Sequence, residues 1–366
     1  MSKFVAVDIE TTGLDPLKDK IVCVGTSTNA YFLNPGDPQP NCPWLKNIQT
    51  TLREYITQGK TIVFQNGSFD TKFLWAIGIE IENTWDTMIA AYLLTDKPGK
   101  LSLDSLASYY LGLPSWKEDF KSGDAYRDPE LMKMYCLKDC EVTEALAVEL
   151  EKRLIEEGKL EFFHKLMKAR QMLTRAEYTG VRLDTDATNV LINQLKLEYQ
   201  EQIQTLNGFE IGVKNWNSPA QVKALLKDTL KLNTIHPLTK KESADIMVLE
   251  MHSTAHPLIP LLIQMRGTKK LMGTLEGYLE ALSSDGRLHP NFNCTNTITG
   301  RLSSSGALNI QQVDSSKRVR KLFTARDGHK LVIGDLAQIE PRLAAHYSKD
   351  PVLMEMFRKE EDLYGT

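Results

Sequence analysis

Four carboxylates and one tyrosine arrive along this chain in a fixed order: Asp8 and Glu10 in VDIETTGL, Asp70 in NGSFDTKFL, then Tyr135 and Asp139 in YCLKD. Acids that converge on one point with no base nearby repel one another, and an all-oxygen donor set of this kind invites hard divalent cations. Two Mg²⁺ or Mn²⁺ ions about 3.5 to 4 Å apart would turn the cluster into a site for attack on a phosphodiester. The hydroxyl of Tyr135 is then placed to orient the attacking water.

The elements that must position these groups can be read from the local pattern. FVAVDIE is β-rich and nearly all apolar up to Asp8. Side-chain period 2 puts Asp8 and Glu10 on one face and Val7 and Ile9 on the other, so a buried central strand delivers two carboxylates at its end. TIVFQ, residues 61–65, reads as a second strand, followed by a turn at Asn66 and Gly67 and a helix over Phe69 to Ile77 that holds Asp70 in its first turn. Tyr135 and Asp139 lie four apart in the helical stretch PELMKMYCLKDCEVTEALAVELEKRL, hence on one face.

Three such pieces in this order resemble the DEDD exonuclease superfamily, in the subclass with tyrosine ahead of the last Asp, over residues 1 to about 155. The resemblance implies a ribonuclease H-like mixed sheet flanked by helices, and two metal ions that release the last nucleotide from a 3′ end. It further implies that Asp8 bridges both metals, Glu10 and Asp139 complete the nucleophile-side metal, Asp70 holds the second, and Tyr135 positions water. Leu14 would wedge against the terminal base and Asn66 would contact the substrate strand.

With 366 residues and 42% hydrophobic content, the chain can bury two or three cores. No apolar run approaches 18 residues, and Lys3 leads directly into the first strand, so we expect no signal peptide, no membrane span and a cytoplasmic location, in a bacterium or a phage-infected host. The five cysteines form no CxxC pair; Cys136 and Cys140 share a helix face and read as packing rather than zinc ligands, with reduced thiols and no structural metal. The net charge of −3 is unevenly divided. Residues 1–160 hold 17 Lys and Arg against 24 Asp and Glu, net −7, whereas residues 161–366 hold 27 against 23, net +4. The basic groups cluster at Arg266, Lys269 and Lys270, and at Lys317, Arg318, Arg320, Lys321 and Arg326, where they could neutralise phosphates or form a solvated face.

The second half is rich in helix. Apolar positions recur at helical spacing over Ala187 to Leu206; NSPAQV offers Ser218 as N-cap, Pro219 at N1 and Gln221 at N3 as a capping box. Further helices are expected over Ser243 to Met251 and Pro257 to Leu282, then short β-like segments through GRLHPNFNCTNTITGRLSSSGALNIQQV. An apolar strand from Leu331 to Ile333 would lift Asp335 to a sheet edge.

RGTKKLMGTLEGYL, TGRLSSSGALNIQQ and DLAQIEPRLAAH together make residues from about 165 onward resemble a family A DNA polymerase, of the bacterial DNA polymerase I type that phages also encode. The resemblance implies an α-rich thumb and the first strands of an α+β palm, with a division into an exonuclease domain (1–155), a helical connecting and thumb region (156–290) and a partial palm (291–366). It implies that Asp335 binds both polymerase metals and Glu340 gates against the ribose 2′-hydroxyl. Gln338 and Arg301 would touch the primer-template minor groove, and Asn309 and Gln311 the DNA near the junction. The sequence departs from the family at Leu336 and Ala337, where Tyr and Ser are usual, and at Pro341, where Leu is usual.

No His-Asp-Glu tripeptide occurs, and the sequence ends at EDLYGT, ahead of the fingers helix. The expectation is therefore a proofreading 3′-5′ exonuclease that binds single-stranded 3′ ends and primer-template DNA, synthesising DNA only when a second polypeptide supplies fingers and the remaining palm. Two alternatives stay open: a DNA-binding subunit of a split polymerase, and an RNA-trimming nuclease of the same tyrosine subclass.

Overall fold

The structure, a computed structural model, describes residues 2–33, 43–95, 100–116, 128–306, 308–361 and 363. Residues 1–323 form one compact unit and residues 324–366 a second.

The first unit opens with a five-stranded sheet in the order β3-β2-β1-β4-β5, built from β1 (Phe4–Thr11), β2 (Ile21–Thr26), β3 (Ala30–Phe32), β4 (Thr61–Phe64) and β5 (Trp85–Asp86). Strand β1 is central, antiparallel to β2 and parallel to β4. Helices α1 (Pro43–Thr57), α2 (Ser68–Ala76), α3 (Thr87–Leu94), the short α4 (Leu103–Leu106) and the 28-residue α5 (Pro129–Glu156) cover its two faces. The alternation along β1 sorts side chains between two cores. Val5, Val7 and Ile9 join Leu45, Ile48 and Leu52 of α1 and Phe73 and Leu74 of α2. Phe4 points the other way and joins Ile89 and Ala90 of α3 and Val142, Leu146 and Leu150 of α5. Asp8 and Glu10 continue the row begun by Phe4 and Ala6, so both carboxylates emerge on the α5 side, as period 2 requires. With both faces covered, β1 reads as a continuous apolar run until that row turns acidic.

Helix α5 lies very close to the sheet. A Cβ on Gly25 of β2 would stand 2.6 Å from the sulfur of Cys136 and 3.0 Å from that of Cys140, so the bare backbone at Gly25 is what lets α5 seat there. Asp128 caps the helix through the N–H groups of Glu130 and Leu131, and Pro129 at N1 has no N–H of its own to satisfy.

Helix α6 (Leu160–Thr179) and β6 (Val181–Leu183) lead to a helical region made of α7 (Thr185–Asn207), α8 (Pro219–Ala224), α9 (Ile246–Met251) and α10 (Leu258–Glu280). Leu191 and Leu195 of α7 bury against Leu275 and Tyr278 of α10, whereas Leu206 buries with Leu258, Ile259 and Leu262, so the two long helices run antiparallel with a core at each end. Ser218 caps α8 by accepting from Gln221 N–H at 3.4 Å, but the expected capping box is only half formed. The Gln221 side chain accepts from Lys214 and Asn215 N–H, both at 3.0 Å, because the chain folds back ahead of the cap. Helix α9 begins at Ile246, later than expected, since Asp245 takes the N-cap by accepting from Val248 N–H. Strands β7 (Arg287–Leu288), β8 (Asn291–Asn293) and β9 (Ser303–Ser305) follow, β8 and β9 paired as a hairpin, and then the one-turn helix α11 (Lys317–Arg320).

The second unit holds α12 (Ile339–Ser348) and α13 (Pro351–Arg358), the latter capped by Asp350. The expected strand at Leu331–Ile333 is not formed. Residues 331–336 have no regular structure and Val332 is 95% exposed, because no described residue forms a ladder with this segment and an unpaired strand has no backbone partners to hold it extended.

Replacing Gly25 with Val should force α5 off the sheet. We expect the midpoint of urea unfolding to fall by the equivalent of about 1 to 3 kcal/mol with little change in slope, and an unchanged midpoint would show that α5 does not depend on this contact.

Candidate active site

The parallel pair β1 and β4 ends at a cleft of about 740 Å³ lined by Asp8, Gln65, Asn66, Met88, Leu101, Ser102, Leu103 and Asp139, with Thr295 and Asn296 as a further wall. Three of the expected residues, Asp8, Asn66 and Asp139, thus share one cavity. Asp70 is buried at the first turn of α2 and its Oδ1 accepts from Ile9 N–H at 3.2 Å, which ties it to the strand between Asp8 and Glu10. Tyr135 sits one turn before Asp139 on α5, half-buried against the α3-α5 core. Leu14 is 85% exposed, beside a separate groove it shares with Lys72, Glu177 and His289.

The electrostatics follow from this crowding. Burial, and then the charges of Asp70, Glu10 and Asp139, push the Asp8 carboxyl well above the usual carboxylate range, with only the Cys136 thiol opposing them among the largest influences. Burial likewise raises Asp70 to about 8, against the pull of its N–H partners, with Asp86 and Glu10 adding repulsion. Oxygen donors that repel one another in this way are suited to a hard divalent cation, which removes the repulsion by binding between them. The carboxylates are not yet arranged as ligands: among the described residues, no group of three or more His, Cys, Asp or Glu is placed to hold a metal ion. Protein donors engage them instead. Asp139 Oδ1 accepts from the Trp116 indole at 2.8 Å, Asp8 Oδ2 from the Cys136 thiol at 3.4 Å, and Asp70 from the strand. The donor chemistry fits Mg²⁺ or Mn²⁺, since a carboxylate has lone pairs enough to keep such a partner and accept a cation as well.

Several contributors were not evident from the motifs. Asp86 is buried and accepts from four N–H groups, those of Asn66 (3.2 Å), Gly67 (2.8 Å), Met88 (2.9 Å) and Ile89 (3.3 Å). It caps α3 and at the same time fixes the turn in which Asn66 takes the left-handed conformation, φ 60°. WDT after a strand is an N-cap signature that could have revealed the first role but not the second. Trp116 and Cys136 carry no sequence signal for their contacts. Neither do Thr295 and Asn296, although Tyr92 holds their loop by donating to Thr297 O at 2.7 Å.

The residues expected to touch duplex DNA are differently placed. Asn309 and Gln311 brace the β8-β9 hairpin: Asn309 accepts from the Ser304 hydroxyl, while Gln311 accepts from Ser304 N–H at 3.1 Å and donates to Leu302 O at 2.8 Å. Arg301 is exposed on the connecting loop. Within the basic clusters, Arg266 is half-buried and donates to Ala244 O, so it anchors α10 rather than facing solvent, and Arg318 pairs with Glu198 at 3.1 Å. Lys269 and Lys270 are exposed. In the second unit Asp335 and Glu340 are exposed, and Gln338 takes a left-handed conformation at the start of α12. No helix among the described residues is long and apolar enough to cross a membrane.

Comparison with known proteins matches both halves. Residues 1–155 match the 3′-5′ exonuclease family and residues 186–366 match DNA polymerase family A. The chain is 31% identical, over 99% of its length, to DNA polymerase I of Synechocystis sp., covering 39% of that protein, and 31% identical over 99% to DNA polymerase I of Borreliella burgdorferi, covering 41%. It is 33% identical over 78% of its length to the thermostable DNA polymerase I of Thermus thermophilus, covering 33%. The chain therefore spans about two fifths or less of these curated relatives. In fold it is similar to the POL domain of Pol1 from M. smegmatis, solved with DNA primer-template and dNTP, with a TM-score of 0.81 and 22% identity over all of this chain and 62% of that one.

The Asp70 shift makes a stability prediction. In the unfolded chain the carboxyl ionises near its ordinary pKa, roughly 3.9, but in the folded protein only near 8, so the folded state binds the extra proton between these limits and loses stability as pH rises through them. In EDTA, Asp70→Asn should therefore gain on the wild type from pH 5 to pH 8 by about 1 kcal/mol or more in urea unfolding, and Mg²⁺ should narrow the gap. A gap that stays constant with pH would contradict the assigned ionisation.

Proposed function

We propose that this chain, whose residues 1–155 form a 3′-5′ exonuclease domain and whose residues 186–366 belong to DNA polymerase family A, hydrolyses the 3′-terminal nucleotide of a DNA strand in the Asp8-Asp139 cleft. The observation that carries the reading is the crowding of Asp8 by three other carboxylates at the end of the central strand. Asp8, Glu10, Asp70 and Asp139 would hold divalent cations, which when bound acidify water and take up charge on the phosphate. Cation binding would draw each carboxyl into its ionised form. Tyr135 is one helical turn from Asp139, on the same face of α5, and orients the attacking water through its hydroxyl. Asn66, held in its turn by Asp86, contacts the substrate strand, and the exposed Leu14 packs against the terminal base.

In this reading residues 1–155 are the exonuclease domain, 156–290 the connecting and thumb region and 291–366 the start of a palm. The exposed lysines of α10 in the thumb region and the β8-β9 hairpin at the start of the palm bind primer-template. Asn309 and Gln311 act there by shaping the hairpin on which Arg301 is carried. Asp335, with Gln338 and Glu340, is the contribution to DNA synthesis. The comparisons lend no support to a separate polypeptide carrying the fingers, whereas the bacterial relatives support the cytoplasmic location. DNA is favoured over RNA as substrate because the polymerase segment accompanies the exonuclease in one chain.

Labelled single-stranded DNA incubated with the chain and Mg²⁺ or Mn²⁺ should shorten from its 3′ end, and faster than RNA of the same sequence. Asp8→Ala should lower the rate at least about a thousandfold by removing one of the carboxylates that would hold the cations; digestion at the wild-type rate would reject the site. Tyr135→Phe keeps the ring and loses the hydroxyl, so kcat should drop by about ten- to a hundredfold while calorimetric metal affinity stays within about twofold of wild type. Parallel loss of both would reject the water-orienting role.

A further inference from the structure

Outside the acid cluster, Glu177 joins Asp86 as a deeply buried carboxylate among the described residues of this region. Glu177 of α6 is 2% exposed, and both of its oxygens are doubly engaged. Oε2 accepts from the Ser68 hydroxyl at 2.8 Å and from Lys72 Nζ at 2.9 Å; Oε1 accepts from Arg170 Nη2 and from Phe292 N–H at 2.8 Å. Arg170 closes the arrangement by donating to Ser68 Oγ and to Phe292 O, and Lys72 also reaches Asn291 Oδ1 at 3.3 Å. The Glu177 backbone oxygen lies 2.8 Å from His289 Nδ1, just ahead of the same strand. Burial raises the Glu177 carboxyl, but Arg170, Lys72 and the Phe292 N–H outweigh it and hold it below its ordinary value, so it stays ionised.

The partners identify what is joined. Ser68 and Lys72 flank Asp70 on α2, two residues to either side. Asn291 and Phe292 start β8, the strand that runs directly into Thr295 and Asn296 on the wall of the cleft. One carboxylate therefore fastens the helix that carries an acid of the site to the hairpin that walls it. A buried ionic cluster adds little to stability compared with an apolar core of the same volume, and in some proteins its use is instead to fix one geometry.

Resting on the exonuclease reading, we propose that Glu177 is a positioning residue for the DNA strand: it sets the distance between the acid side of the cleft and the Thr295-Asn296 wall, and so the seat of the 3′-terminal nucleotide. Asp70 has its own tie to Ile9 N–H, and Phe73 and Leu74 anchor α2 in the core, so release of the clamp displaces the hairpin rather than the acids. The consequence falls on strand binding and not on the hydrolytic step.

The test uses the full chain with Mn²⁺ and two substrates, a single-stranded oligonucleotide and bis(p-nitrophenyl) phosphate, a diester with no nucleoside to seat. Glu177→Gln should raise KM for the oligonucleotide about tenfold, with kcat and hydrolysis of the small diester within about threefold of wild type. Ser68→Ala and Lys72→Met leave the Glu177-Arg170 pair in place and should each raise the oligonucleotide KM about threefold or more, which keeps the proposal open to refutation if Glu177→Gln does not fold. Unchanged oligonucleotide KM in all variants that fold, or an equal fall in kcat on both substrates, overturns it. Wild-type chain that cleaves neither substrate, with Asp8→Ala no different, overturns the exonuclease reading itself and this proposal with it.

Discussion

Bringing four carboxylates together at the edge of a protein core is opposed both by lost hydration and by mutual repulsion, and the whole N-terminal fold is organised around the strand that does so. Strand β1 is central in its sheet, with one core beneath Val5, Val7 and Ile9 and another above Phe4. A slip of one residue would drive Asp8 into the α1-α2 core and Val7 into the cleft, so the two cores together fix which residues face the acids' side. Everything else at the site refers to that register: Asp70 is tied to the Ile9 N–H, and α5 is laid down over Gly25 so that Asp139 comes to the same cleft.

The protein treats its buried carboxylates in two contrasting ways. Glu177 and Asp86 are fully supplied with donors from the chain, cationic groups and N–H for the first and four N–H groups for the second. They act as struts. Asp8 and Asp70 have other acids among their neighbours, and burial first, with that repulsion added, pushes their carboxyls up, whereas at Asp86 it is burial alone that four N–H groups oppose. Such a cluster is incomplete in charge, which is the condition a cation relieves, whereas a closed cluster such as that of Glu177 has nothing to gain from one. The two kinds meet through α2, where Ser68 and Lys72, which hold Glu177, flank Asp70, and this lets a rigid frame hold an electrostatically uneasy site.

The basic half of the chain shows a similar division between frame and surface. Arg266 and Arg318 are used within the structure, one on a carbonyl and one on Glu198, while Lys269 and Lys270 remain at the surface of α10. Residues that look interchangeable as a charge cluster therefore do different things. Lys suits the exposed role because a flexible ammonium meets phosphate as a point charge, whereas the guanidinium forks lock onto fixed partners.

What the sequence determined by itself was local. The alternation in FVAVDIE placed Asp8 and Glu10 on one face, the turn after TIVFQ placed Asp70 in the first turn of α2, and the spacing of Tyr135 and Asp139 placed them on one side of α5, since each depends only on backbone period and turn chemistry. The capping pattern at Ser218 was legible for the same reason, though the return contact from Gln221 was not, because that depends on a fold-back outside the helix. Tertiary structure decided the rest. It brought Trp116 to Asp139 and Cys136 to Asp8, and set the Thr295-Asn296 wall across the cleft, contacts between residues whose types carry no marker of one another. It also left Leu331–Ile333 without the strand its composition favours, since an extended segment becomes a strand only when another backbone lies beside it, and no local pattern can report whether one does.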